Sequence, residues 1–271
     1  MLKTEMRNPK TTHIDQMSSI EIAQIMSEEN LNAARAVEAE RENIAKAIDA
    51  IAFAFQQGGR LLYMGAGTSG RLGVLDAAEC PPTFGVSQEM VVGIIAGGNV
   101  ALLKAGERAE DSGEAGVRDL EERHLTSKDI VVGISAAGGA AYVTEALTYA
   151  KSIGCITVGI TSNKGTALDE IADISICPDT GPEVVTGSTR LKAGTAQKLI
   201  LNMLSTGAMI RSGYVYENLM INLKPSNEKL EKRVLRIVMD LTGLEEPKAK
   251  ALLDQNEWNI RKSLDQFRQS S

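Results

Sequence analysis

Two short stretches of this chain carry the residue types that hold an anion. The first is Gly65-Ala66-Gly67-Thr68-Ser69-Gly70-Arg71, preceded by the apolar run Leu61-Leu62-Tyr63-Met64. That order reads as a buried strand, a tight glycine turn and a helix start. Gly65, Gly67 and Gly70 let the backbone approach a ligand closely and adopt positive φ. Thr68 and Ser69 are N-cap candidates, and their hydroxyls, with the unpaired amides of a first helical turn, suit a phosphate. No Gly-Lys-Ser/Thr follows to make a P-loop, and we do not read the glycines as a dinucleotide fingerprint. The second stretch is Gly187-Ser188-Thr189-Arg190-Leu191-Lys192, just before the helical apolar run Leu199 to Ile210. Ser188 and Thr189 are again N-cap hydroxyls suited to an anion, with positive charge added by Arg190 and Lys192. Solvated capping explains either stretch singly. Together they point to a phosphorylated ligand, because helix starts of one α/β domain converge at the carboxyl ends of its strands.

The elements that must position these hydroxyls follow from the apolar pattern. Residues 1–17 are polar and read as an extended arm. Ser18 and Glu21 make a capping box that opens a helix, and an amphipathic stretch from Leu31 to Gln57 reads as one long helix ended by Gly58-Gly59. That helix serves equally well as a dimer seam or as simple cover for the sheet. Apolar strands are expected at Leu61–Met64, Met90–Ala96, Ile130–Ser135, Cys155–Ile160 and Ile174–Cys177, with helices between them. The helix after the first strand is expected to end near Pro81-Pro82, where two prolines oppose continuation. Strands separated in this way imply right-handed βαβ units in a doubly wound parallel sheet. After Leu223-Lys224-Pro225 the pattern changes to helices near Asn227–Leu241, Pro247–Leu253 and Trp258–Phe267. This small three-helix module resembles a ubiquitin-associated bundle, which we read as packing or dimer support with Trp258 in its core. The expected parts are therefore an arm with helices at 1–57, an α/β domain at 58–224 and a helical module at 225–271.

Composition narrows the function. With 29 Lys and Arg against 35 Asp and Glu, the net charge of −6 leaves no basic excess for nucleic acid. The three cysteines, Cys80, Cys155 and Cys177, are widely spaced, which fits neither a disulfide framework nor a zinc site and suits a reducing compartment. His13 and His124 lie among charged or polar neighbours and read as surface residues. No apolar run approaches the length of a membrane span and the N-terminus is polar, so a cytoplasmic protein without membrane association is expected.

Both anion stretches, together with Thr4-Glu5-Met6-Arg7-Asn8-Pro9, Asp76-Ala77-Ala78-Glu79-Cys80-Pro81-Pro82-Thr83-Phe84-Gly85 and Ala109-Glu110-Asp111, resemble the N-acetylmuramic acid 6-phosphate etherase family over nearly the whole chain. The segment Gly181–Lys198 resembles the signature that this family shares with the glucokinase regulatory protein. The resemblance implies a sugar-isomerase (SIS) fold, a cytoplasmic homodimer, a sugar 6-phosphate substrate, and no metal or cofactor. It also implies removal of the D-lactyl ether, giving N-acetylglucosamine 6-phosphate and D-lactate, with Glu79 as proton donor and Glu110 as partner base. Read from their own neighbours, either is equally a solvated charge: Glu79 a helix-end residue, Glu110 one of several acids with Glu107 and Asp111. Phosphate binding is expected of Thr68, Ser69, Gly70, Ser135, Ser188, Thr189 and Lys192.

The chain departs from the family in one loop. Where the family has Ala-Ser-Gly-Arg-Thr-Pro-Tyr, this chain has Ala136-Ala137-Gly138-Gly139-Ala140-Ala141-Tyr142. Two hydroxyls and an arginine are missing from a loop that in SIS folds helps to hold the sugar phosphate. Losing one charge-assisted contact costs about 1.5–3 kcal/mol of binding. An etherase is the first reading; the alternative is a non-catalytic sugar-phosphate sensor with an altered phosphate loop. An aldose–ketose isomerase fits the Glu-Cys-Pro-Pro and Ala-Glu-Asp motifs less well.

Overall fold

The computed structural model describes every residue except Ala105, Glu107, Leu223, Lys224, Ser226, Asn227 and Ser271. Single 3-10 turns at Lys3–Glu5, Pro9–Thr11 and Ile14–Gln16 lead into α1 (Ser19–Ala39) and α2 (Arg41–Gln56). The chain then runs β1 (Leu61–Gly65), α3 (Gly67–Phe84), β2 (Val91–Ile95), α4 (Val100–Leu103), α5 (Gly113–Glu121) and β3 (Ile130–Ile134). It continues through α6 (Ala141–Ile153), β4 (Ile156–Ile160), α7 (Ala167–Ile171), β5 (Ile174–Ile176) and α8 (Lys192–Arg211). Last come β6 (Val215–Tyr216), β7 (Leu219–Met220), α9 (Glu228–Thr242), α10 (Glu246–Gln255) and α11 (Ile260–Ser270). The chain forms two compact units: Met1–Ala78 with Glu89–Ala208, and Glu79–Gln88 with Met209–Ser271. This division differs from expected boundaries at 57 and 224, and the junction residues Leu223 and Lys224 lie outside the described residues.

The first unit is built on five parallel strands in the order β2-β1-β3-β4-β5. Leu61, Leu62, Tyr63 and Met64 are all fully buried, as continuous apolar strands covered on both faces must be. One face packs Leu62, Met64 and Val131 against Tyr142, Val143 and Leu147 of α6, while α2 covers β1, β3 and β5. In the second unit a β6-β7 hairpin accompanies the three expected helices, whose Val234, Val238, Leu253 and Ile260 form a separate core. The hairpin strands span two residues each, too short for a pattern of alternation to announce them. Trp258 is corrected from core to periphery: it is half-buried at the edge of this cluster, with its indole N–H on Asp254 Oδ1 at 2.9 Å. No helix among the described residues is long and apolar enough to cross a membrane.

Several boundaries also move. The arm is not extended: it forms three 3-10 turns, and Thr4, Asn8 and Thr11, in or capping the first two, are buried. The Ser18–Glu21 capping box is present, but the expected long helix breaks at Glu40 (φ −94°, ψ 9°) into α1 and α2. A one-residue break leaves the apolar stripe intact, so the periodicity passes over it. Conversely, α3 runs through Pro81 and Pro82 to Phe84. Both prolines lie in the last turn of the helix, where their fixed φ is already helical, and the Gly85 N–H still reaches Pro81 O at 2.9 Å.

Candidate active site

From β1 the chain moves to β2 on one side, then returns to place β3 on the other side of β1. The connections leaving β1 and β3 therefore part at their carboxyl ends, which is where an open α/β sheet leaves a crevice for a ligand. A cavity of about 310 Å³ lies there. Its walls are Ala66–Ser69 after β1, Ile134–Ala137 and Ala140 after β3, with Glu5, Glu110 and Thr189 completing the lining.

The β1 wall is set by glycines. A methyl group on Gly65 would sit 2.7 Å from Gly70 N, and one on Gly70 would collide with Gly65 O and the Ile95 side chain. The strand end and the helix start are thus in backbone contact, with Gly70 buried beneath the cavity rather than lining it. Helix α3 begins at Gly67, so Thr68 and Ser69 are corrected from N-cap to first-turn residues. No backbone N–H of Gly67, Thr68 or Ser69 makes a hydrogen bond among the described residues. The positive end of α3 is therefore open toward the crevice. Ser69, 8% exposed, donates its hydroxyl to Gln197 Oε1 on α8 at 3.0 Å. The Gln197 amide nitrogen is buried and unpartnered among the described residues. Sequence reading missed Gln197; its one signal is a long polar residue among the apolar positions of α8.

The β3 wall is pinned from below. Ser135 Oγ accepts the Gly138 N–H at 3.2 Å, which leaves the serine proton free for the crevice. Ala136 O accepts from Asn163 Nδ2 at 2.9 Å, Thr161 Oγ1 at 3.3 Å and Ser162 N at 3.0 Å. Ala137 and Ala140 add methyl groups where the family loop has hydroxyls. A side chain on Gly139 would meet nothing within 4 Å. Glu110 reaches the crevice from the 3-10 turn Ala109–Asp111, entered through Arg108 in the left-handed region (φ 61°). Glu79 is exposed on α3 and belongs to the second unit.

The second hydroxyl-rich stretch is built differently. Helix α8 begins at Lys192, and its first amides are capped by a side chain of the same chain: Glu183 accepts Lys192 N at 2.9 Å and Ala193 N at 3.0 Å. Glu183 is fully buried. Ser188 and Thr189 are accordingly corrected from N-caps to turn residues; Thr189 lines the crevice and Ser188 does not. Lys192 is corrected as well. Its ammonium is buried and pairs with Glu29 Oε2 at 2.5 Å, beside a separate cavity of about 980 Å³ walled by the arm and α1. Lys10 Nζ and Asn8 Nδ2 also bind the Glu29 carboxylate, at 3.1 and 3.0 Å. Burial pushes this carboxyl up, but Lys192 and Lys10 outweigh it and hold it below its ordinary value. Among the described residues no group of three or more His, Cys, Asp or Glu is placed to hold a metal ion.

Comparison with known proteins agrees with this architecture. The glucokinase regulatory protein N-terminal SIS domain matches residues 43–151, and the SIS domain matches residues 109–207. The chain is 54% identical to the N-acetylmuramic acid 6-phosphate etherase of Pasteurella multocida (strain Pm70), over 94% of this chain and 85% of that one. It is 52% identical to the protein of the same name from Vibrio atlanticus (strain LGP32), over 97% of this chain and 86% of that one. Among solved structures, a candidate phosphosugar isomerase involved in capsule formation from Bacteroides fragilis NCTC 9343 superimposes with a TM-score of 0.57, at 22% identity over 74% of this chain and 95% of that one. A phosphoheptose isomerase from Neisseria gonorrhoeae gives 0.52, at 20% identity over 69% and 96%. At these identities the structural likeness is one of fold. From the identity to its sequence relatives over nearly its whole length, the chain belongs to the N-acetylmuramic acid 6-phosphate etherase family and carries that family's SIS fold.

Proposed function

We propose that this chain is a carbon–oxygen lyase that cleaves the D-lactyl ether of N-acetylmuramic acid 6-phosphate, giving N-acetylglucosamine 6-phosphate and D-lactate in cell-wall amino-sugar recycling. The observation that carries the reading is the switch-point crevice, where an open helix N-terminus, four hydroxyl residues and two carboxylates line one space. The phosphate would take the α3 amides with Thr68, Ser135 and Thr189, and Ser69 once its proton turns from Gln197 Oε1 to the anion. The sugar then extends toward Glu110. In the open-chain sugar the C1 aldehyde acidifies the C2 proton. A base removes that proton, the C3–O bond breaks and lactate departs with the electron pair, and water adds back at C3. Each step moves a proton, so two carboxyl groups suffice. Glu110 is assigned as the base and Glu79 as the proton donor. The family resemblance supports this pairing, as it supports a homodimer at work in the cytoplasm.

The test is D-lactate release from N-acetylmuramic acid 6-phosphate by the purified parent and by Glu79→Gln and Glu110→Gln. Each substitution keeps shape while removing proton exchange and should lower turnover by about 10²–10⁴-fold. Full activity in either variant refutes its assigned role. The loop Ala137-Gly138-Gly139-Ala140 favours a second reading, a sugar-phosphate sensor, and a parent that binds the ligand but releases no lactate would establish it.

A further inference from the structure

The crevice holds a carboxylate that the reaction above does not use. Glu5 lines it together with Glu110, Ser69 and Thr189, although it comes from the N-terminal arm and is distant from them in sequence. Among the described residues the Glu5 carboxylate makes no hydrogen bond or ion pair, whereas its neighbours on the arm are tied on both sides. Asn163, 4% exposed, is the first tie. Its Oδ1 accepts Lys3 N at 2.8 Å, while its Nδ2 donates both to Thr4 Oγ1 at 3.0 Å and to Ala136 O of the crevice wall at 2.9 Å. Asn8 is the second tie: its Nδ2 binds Glu29 Oε2 at 3.0 Å and Pro182 O at 3.3 Å. One side chain thus fastens the arm and the wall together, and the single unpaired acid between the ties faces the cavity.

We infer that Glu5 is a specificity-determining residue that accepts a hydrogen bond from the sugar portion of the phosphorylated ligand. The inference rests on the crevice being the sugar-phosphate site. A carboxylate only accepts hydrogen bonds and repels a phosphate, so its partner must be a hydroxyl or amide N–H away from the anion end. A loose surface glutamate would lose side-chain and backbone freedom on binding; an arm already pinned at Thr4 and Asn8 has lost the backbone part beforehand. Asn163 is by the same argument a positioning residue, acting on the ligand through Glu5.

The experiment is calorimetric binding of N-acetylglucosamine 6-phosphate and of inorganic phosphate to the parent, Glu5→Ala, Glu5→Gln and Thr4→Val. A charge-assisted hydrogen bond corresponds to about tenfold or more in affinity. Glu5→Ala should therefore weaken the sugar phosphate by about tenfold or more, and Glu5→Gln by less, while inorganic phosphate binds as well as before or better. Thr4→Val, which removes the side-chain bond between the arm and Asn163 but leaves the carboxylate, should reproduce the sugar-selective loss in part. Equal affinity for both ligands in Glu5→Ala, or equal loss of both, overturns the assignment while leaving the crevice as a phosphate site. A parent that binds neither ligand overturns the site reading, and the role of Glu5 with it. Glu5 is exposed, so melting temperatures should match the parent; a fall in Glu5→Ala would mark a structural role instead.

Discussion

Helices α3 and α8 start in much the same way on paper, each with glycine, serine, threonine and a basic residue within a few positions. In the folded chain they are opposites. The first turn of α3 leaves its amides open to a crevice lined by Thr68 and Ser69, while the first turn of α8 is closed by Glu183 with its first lysine locked onto Glu29. One helix dipole is left open for a ligand and the other is spent on the fold. The difference lies in a carboxylate located nine residues before Lys192, outside the motif itself. A helix start is therefore identified as a binding site by what is absent from its approach, as much as by the hydroxyls it carries.

This contrast can be broken most forcefully at Glu183. Its replacement by Ala would strand two buried amides, and loss of charge-assisted bonds of this kind costs about 3 kcal/mol, read as a fall in the urea midpoint. If α8 were instead a ligand-binding terminus, removing the plug would leave stability unchanged and strengthen phosphate binding. Restoring the family loop with Ala137→Ser, Gly139→Arg and Ala140→Thr comes next. It should tighten sugar-phosphate binding at the α3 side by about 10-fold or more, as measured by calorimetry, and no gain would mean that the β3 wall does not meet the phosphate. Ser69→Ala should weaken phosphate by about tenfold. Its effect on stability should stay near 1 kcal/mol, the typical worth of its bond to Gln197.

The smallest effect is in acid. Because the folded Glu29 carboxyl is held below its unfolded value, the stability it contributes is complete above the unfolded pKa and is lost as pH falls through the folded one. The urea midpoint should decline between about pH 5 and pH 3, and Glu29→Gln should remove part of that decline. An identical slope in Glu29→Gln would detach the clamp from acid sensitivity. The open terminus of α3 has no such carboxylate clamp, and phosphate affinity in Ser69→Ala should keep the pH dependence of the parent.

How far the sequence reveals this molecule depends on the range over which each signal acts. The five strands and their parallel order rest on contiguous apolar runs such as Leu61–Met64 and Ile130–Ile134, and the crevice follows from where the order reverses. Thr68, Ser69, Ser135, Thr189 and Glu110 stand at strand exits or on connections, so they were readable as crevice residues once the family pattern was recognised. Gln197 and Asn163 were not, since their partners lie 128 and 160 positions away, and Glu183 was not, since it caps the helix from outside the hydroxyl motif. Lys192 was misread for the same reason: only the fold brings Glu29, 163 positions away, to its ammonium. The prolines of α3 misled because they sit where helix φ is already suitable.

The backbone contact between Gly65 and Gly70 has a consequence for how this protein can change. No side chain fits at either position, so that side of the crevice is inherited as a fixed jaw whose amides cannot be retuned by substitution. The opposite jaw is the reverse at Gly139, where an added Cβ meets nothing within 4 Å. The backbone of the α3 jaw is therefore fixed while its Thr68 and Ser69 side chains can still vary, and on the other jaw Ala137, Gly139 and Ala140 are where this chain departs from the family loop.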